Sequence, residues 1–179
     1  MKFYSDIKQV DLDKSIVLKA WDFAEKVVRT TNYSDSNQNI LKKIKDDHFV
    51  SKMGEEACKM VLSELGIVHG PDYTIYSADK KSWEDDLMVN GIWYAVKTQR
   101  RTAAKKYSLS WTFQSGEKRK DIILQKPEAW VVFVEYDDTA PYNCYIYPPY
   151  QIKYLIFDEP KLLHLKEHKK VVYAAMLPG

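Results

Sequence analysis

The sequence predicts an α/β protein with a mixed central β-sheet flanked by helices and an added N-terminal helical segment. Three observations carry this. Two stretches with helical apolar spacing come first in the chain. Short segments rich in β-branched and aromatic residues follow, opened by Asn90-Gly91 between two apolar runs, the strongest short hairpin signal. Then "AWVVFVEY" (129–136) is almost continuously apolar, as strands buried on both faces at a sheet centre are.

The elements read in order as follows. In "DLDKSIVLKAWDFAEKVVRT", Ile16, Ala20, Phe23 and Val27 recur at helical spacing, and Asp11 and Asp13 suit a first turn. The polar patch "TTNYSDSNQN" breaks that helix. "NILKKIKDDHFVSKMGEEACKMVLSELG" reads as one or two helices, with Val50, Met53, Ala57 and Val61 as an apolar face and Gly66 as the stop. "DYTIYSA", "DDLMVN", "IWYAVKTQ" and "YSLSWTF" read as strands. "NCYIYP" reads as an antiparallel neighbour of "AWVVFVEY". "PPYQIKYLIF" reads as a helix start after its prolines, and "KKVVYAAML" as a last strand or helix. The division expected is a single domain over 1–179, with a helical extension over 1–48 and the core over 49–179.

Composition bounds the class. With 179 residues, 45% hydrophobic and 13% aromatic, the chain can bury a real core and is not a disordered type. A net charge of +2 selects no partner by itself. No apolar run approaches the ~18 residues of a membrane span, and the N-terminus lacks the apolar core of a signal peptide. A soluble, cytoplasmic protein with no membrane partner is expected. Cys58 and Cys144 form no spacing motif and read as structural thiols. His164 and His168 share helical spacing but sit in a solvated segment, which argues against a metal site there.

The chemistry concentrates in "DDLMVNGIWYAVKTQRR" (85–101). A hairpin turning at Asn90-Gly91 brings Asp86, at the start of one strand, toward Lys97, well along the other. Alternation puts Ala95, Lys97 and Gln99 on one face, with Val96 and Thr98 on the other. A lysine in an otherwise apolar strand is costly to bury without a partner. A structural ion pair would account for an isolated Asp and Lys. Here Arg100, Arg101, Lys105 and Lys106 follow at once, and a glutamate-bearing helix comes before.

These residues resemble the PD-(D/E)XK nuclease superfamily. "GEEACKMVLSELG" is similar to the Gly-Glu helix of its resolvase-like branch, and "DDLMVNGIWYAVK" is similar to the pattern D-L-x-V-x-G-x-x-x-(D/E)-V-K. The match covers residue 54 to about 101, under a third of the chain. The resemblance implies a restriction-endonuclease-like core and metal-dependent phosphodiester hydrolysis of DNA, with Mg²⁺ as cofactor and Mn²⁺ as substitute. Asp86 would be the central metal ligand, Glu55 the helix carboxylate, and the Val96 carbonyl would face the ion. Lys97 would position water and stabilise the developing charge. Hard oxygen donors suit Mg²⁺, the ion activates water, and a lysine beside it adds electrostatic stabilisation. Cutting both strands of a duplex takes two active sites, so a homodimer is compatible.

One position departs from the pattern: Ala95 stands where the family has Asp or Glu. Three readings stay open. The carboxylate was removed deliberately; it moved, with Glu84, Asp85 or Glu55 filling in; or the chain binds nucleic acid without cutting. Gln99 reads equally as a phosphate contact and as a polar strand end. On a helical wheel Glu55 falls opposite the apolar stripe, which is the pattern of a solvated residue, so its assignment rests on the resemblance; Glu56 falls nearer the stripe's edge. Basic residues Arg100, Arg101, Lys105 and Lys106, with Lys118, Arg119 and Lys120 as a second cluster, form the expected DNA-binding surface. Tyr107, Leu109, Trp111 and Phe113 read as core. A non-catalytic binding protein on the same scaffold is the second reading. A small α/β interaction module, using "PYNCYIYPPYQIKYLIF" as a partner surface, is the third.

Overall fold

A computed structural model describes residues 4–30, 40–76, 86–117, 119–140 and 142–179. The chain builds three layers. Helices α1 (Lys14–Thr30) and α2 (Leu41–Leu62) cover one face of the main sheet. The sheet runs β1-β7-β6-β4-β3-β2, with β8 also paired to β6. Its strands are β1 (Lys8–Asp11), β2 (Val68–His69), β3 (Leu87–Val89), β4 (Ile92–Arg100), β6 (Trp130–Asp137), β7 (Asn143–Ile146) and β8 (Tyr150–Gln151). The other face carries a second, two-stranded sheet of β5 (Ser110–Gln114) and β9 (Lys169–Tyr173). The fold is therefore α/β with a mixed sheet, since β4 and β6 run parallel and the other pairs are antiparallel.

Strand alternation assigns each side chain to a layer. Tyr94 and Val96 of β4, with Val132, Val134 and Tyr136 of β6, pack under the helices with Met53, Ala57 and Leu62. The intervening Ala95, Val131 and Phe133 face Trp111, Phe113 and Val172 of the second sheet. The Trp111 ring stacks on Phe133 with centroids 4.5 Å apart, and its indole N–H donates to the Val134 carbonyl at 2.8 Å. This satisfies the one polar atom of a fully buried ring.

The hairpin forms where expected. Asn90 and Gly91 both take positive φ (50° and 77°), the left-handed pair that a two-residue turn needs to match strand twist. Leu87 pairs with Tyr94 and Val89 with Ile92. Asp13, rather than Asp11, caps α1: its carboxylate accepts from the Ser15 and Ile16 amides at 2.7 and 3.0 Å. β7 is the antiparallel neighbour of β6, and Cys58 and Cys144 are buried free thiols.

Several expectations are corrected. The segment after "TTNYSDSNQN" forms one continuous helix, which ends at Leu62, short of Gly66. The 48/49 division falls inside that helix, and β1 is part of the main sheet. "PPYQIKYLIF" makes the short strand β8 and a 3₁₀ turn over Ile152–Tyr154 instead of a helix, because β8 is drawn into pairing with β6. "KKVVY" is a strand, paired along β5. Residues 72–76 of "DYTIYSA" form no strand, and its last two residues lie outside the described set, as do the "TTNYSDSNQN" loop beyond Thr30, Glu84, Asp85 and Lys118.

Gly54 sits where α2 crosses β4. A Cβ there would lie 1.9 Å from Thr98 Oγ1 and 3.1 Å from its Cγ2. Threonine is stiff about χ1, so the helix or the strand would have to move. Gly54→Ala should therefore destabilise the fold by about 1–3 kcal/mol despite the better helix propensity of alanine. Adding Thr98→Ala should recover most of that loss, as urea unfolding of the single and double variants will show.

Candidate functional site

A cleft of about 730 Å³ opens where β4 outruns β3. β6 accompanies β4 from Tyr94 to Arg100, but the β3 pairing stops at Leu87–Tyr94. Past Tyr94, no strand among the described residues pairs with the other edge of β4. Asp86 fills the first vacancy. Its backbone N–H donates to the Tyr94 carbonyl at 3.1 Å, and its carboxylate accepts from the Val96 N–H at 2.7 Å. In an extended strand the N–H and C=O of one residue point to the same side. The Val96 carbonyl therefore faces this same open edge.

Glu55 approaches from α2. The close crossing at Gly54 carries it down to the cleft, where it is buried, at 3% exposure. This corrects the helical-wheel expectation of a solvated residue. α2 is wedged between the sheet, α1 and residues 71–76, so even its polar side is covered: Lys52 and Glu56 are also buried. Lys52 forms an ion pair with Glu55, and the Ser51 hydroxyl donates to the same carboxylate at 3.2 Å. Glu56 instead accepts from the Tyr73 hydroxyl at 2.9 Å. Burial pushes the Glu55 carboxyl up to about 8, and the negative charge of Asp86 pushes the same way, against the pull of Lys52. The two carboxyl groups thus line one cleft near enough to act on each other, with Glu55 in a poorly hydrated place.

Lys97 projects from the opposite face of β4 and also lines the cleft. Its partner is Asp121 rather than Asp86: Nζ donates to Asp121 Oδ2 at 2.7 Å. That oxygen also accepts from the Gln114 amide at 3.1 Å, which fixes it. Asp121 is a site residue that sequence reasoning missed. It lies 24 positions beyond Lys97 in a polar stretch, with no local pattern to single it out. Ala95 is buried at 4% exposure beside Val131 and Phe133, yet its position borders the same cleft.

Gln99 is committed to β5. Its Oε1 accepts from the Ser110 amide at 2.8 Å, so its amide ties the two sheets together. The basic surface differs from expectation. Arg100 pairs with Asp47 at 3.0 Å, and its Nη2 is a buried donor with no hydrogen-bond partner. Arg101 is bound to Glu135 at 2.7 Å and also to Asp137, and it stacks over Tyr145. Lys105 and Lys106 are exposed on α3 (Arg101–Tyr107), whose cleft-lining residue is Ala103. The expected contiguous patch is thus divided: Arg100 lines the cleft while paired with Asp47, Arg101 is tied to Glu135 and Asp137, and Lys105 and Lys106 are exposed on α3 without lining the cleft.

Among the described residues, no cluster of three or more His, Cys, Asp or Glu side chains is arranged to hold a metal. No helix of the described residues is long and apolar enough to cross a membrane. No family model, curated protein or solved structure matches the chain.

Two outcomes follow from this geometry. A carboxyl with a folded-state pKa near 8, against an ordinary 4.5, binds more protons folded than unfolded between those values. Stability should fall as pH rises through that window, and Glu55→Gln should flatten the fall, as measured by urea unfolding across the pH range. Arg101→Ala strips the charge partner from Glu135 and Asp137. It should cost about 1.5–3 kcal/mol, the worth of a charged hydrogen bond, measured by the same method.

Proposed function

We propose that this chain has a restriction-endonuclease-like core and acts on the phosphodiester backbone of DNA, with chemistry assisted by Mg²⁺. The observation that carries the reading is the meeting of Glu55, Asp86, the Val96 carbonyl edge and Lys97 in one cleft. The sequence resemblance names these same four positions.

The donors fit the ion. Mg²⁺ binds through one or two carboxylates and keeps several waters. Asp86 and Glu55 supply hard oxygens, and their mutual repulsion is what a divalent cation would relieve. Mg²⁺ held there would acidify a bound water and offset phosphate charge. The remaining roles belong to the chain. Asp86 holds the open edge of β4 in place through the Val96 amide. Lys52 and Ser51 orient Glu55. Lys97 directs its ammonium into the cleft, where it would meet the negative charge that grows on a phosphate under attack. Asp121 fixes the direction of Lys97 and takes up its charge until substrate arrives.

A second reading has its own support. Ala95 supplies no oxygen, and Lys97 and Glu55 are both internally paired. A chain that binds nucleic acid without cutting would look like this. The two readings part at position 95. Ala95 borders the cleft on the same strand face as Lys97, so a carboxylate placed there would add a hard ligand. Ala95→Glu or Ala95→Asp should gain metal-dependent cleavage of plasmid DNA, and adding Lys97→Ala should lower that gain by about 10²–10³. If neither restored variant cuts single-stranded, duplex or branched DNA with Mg²⁺ or Mn²⁺, the binding reading replaces hydrolysis.

A further inference from the structure

Cations from separate stretches of the chain gather about the cleft: Lys52, Arg100 and Arg119 line it together with Lys97. β5 and β9 pair so that Lys169 stands directly opposite Gln114. Residues opposite each other in an antiparallel ladder project from the same face. Gln114 lines the cleft, so Lys169 emerges beside it. Arg119, on the connection leaving β5, lines the cleft as well, next to the Lys97–Asp121 pair. From the other side, Lys43 stands exposed on α2, one turn ahead of the cleft residue Asp47.

We propose that Arg119, Lys169 and Lys43, together with Lys97, form a phosphate-binding lip that seats the backbone of a nucleic-acid strand along one wall of the cleft. The proposal rests on the DNA-directed reading above and adds which residues hold the strand. The groups are close enough to act on one another. Burial lowers the Lys169 amine, and the positive charges of Lys43, Arg119 and Lys97 lower it further, against an opposing pull from Asp47. Gathering like charges around a half-buried amine is unfavourable in the free protein. A polyanion laid across them offsets that repulsion and releases its own counterions. Arg101 is engaged by Glu135 and Asp137 and does not line the cleft.

The test is duplex DNA binding as a function of salt, by fluorescence anisotropy. Each phosphate contact removed should lower the slope of log affinity against log salt by about 0.9. Arg119→Ala, Lys169→Ala and Lys43→Glu should each lower the slope, whereas a Lys105→Ala/Lys106→Ala double variant should keep the parent value. Lys43→Glu lies at an exposed helix position, so it reports even if Lys169→Ala fails to fold. Lip variants that fold normally and keep the parent slope would overturn the lip while leaving the DNA reading in place. A parent chain without salt-dependent DNA binding would overturn both. Displacement of the DNA by polyglutamate as readily as by unlabelled DNA would overturn the assignment to nucleic acid.

Discussion

The cleft depends on how closely α2 passes over β4. Without a side chain at Gly54, the helix backbone rests against Thr98, leaving no room even for a methyl group. That contact sets the height of Glu55 above the sheet edge. One residue earlier, at Gly54, a carboxylate would run into Thr98, and one later, at Glu56, it meets Tyr73 and Lys19 of α1. The same closeness is why Glu55 is dehydrated and needs Lys52 and Ser51.

β4 has two unequal edges, and the site uses the difference. The β6 edge is zipped from Tyr94 to Arg100 and holds the strand rigid. Among the described residues the β3 pairing ends at Leu87, and the polar backbone groups beyond it need other partners. Asp86 does this for the Val96 amide from the last position of its own hairpin. A rigid strand with an open edge can present backbone and side-chain oxygens together without disturbing the sheet. The two faces of β4 then divide the labour. The helix side brings Glu55 and Lys52, and the side toward the second sheet brings Lys97 and Asp121.

Charge is distributed by folding rather than by sequence proximity. Arg100 and Arg101 follow Lys97 directly, but the chain turns into α3 at that point. Their side chains swing onto Asp47 and onto the Glu135–Asp137 pair. Arg100 thereby ties the end of β4 to α2, and Arg101 ties the start of α3 to β6. The cations around the cleft come from separate stretches of chain: Lys43 and Lys52 on α2, Lys97 and Arg100 on β4, Arg119 after β5, and Lys169 on β9.

Local rules determined a good deal. Asn90-Gly91 prescribed the turn through its positive φ preference, and the apolar run 129–136 prescribed a central strand. Period-2 alternation placed Ala95, Lys97 and Gln99 on one face, and the Val50–Met53–Ala57–Val61 stripe marked the buried side of α2. Asp86 and Lys97 could be read into one region because a single hairpin ties them together, whereas Glu55 was singled out by the resemblance alone. Tertiary structure alone decided the rest. A helical wheel assumes one wet face, and α2 has none where it is wedged, so the burial of Glu55 could not be read from it. Asp121 reaches Lys97 only because β5 folds back across the sheet, and Lys169 joins the cleft only through the β5–β9 ladder. The partners of a charge are chosen in space, and the chain's own periodicities describe only what lies within a few residues of it.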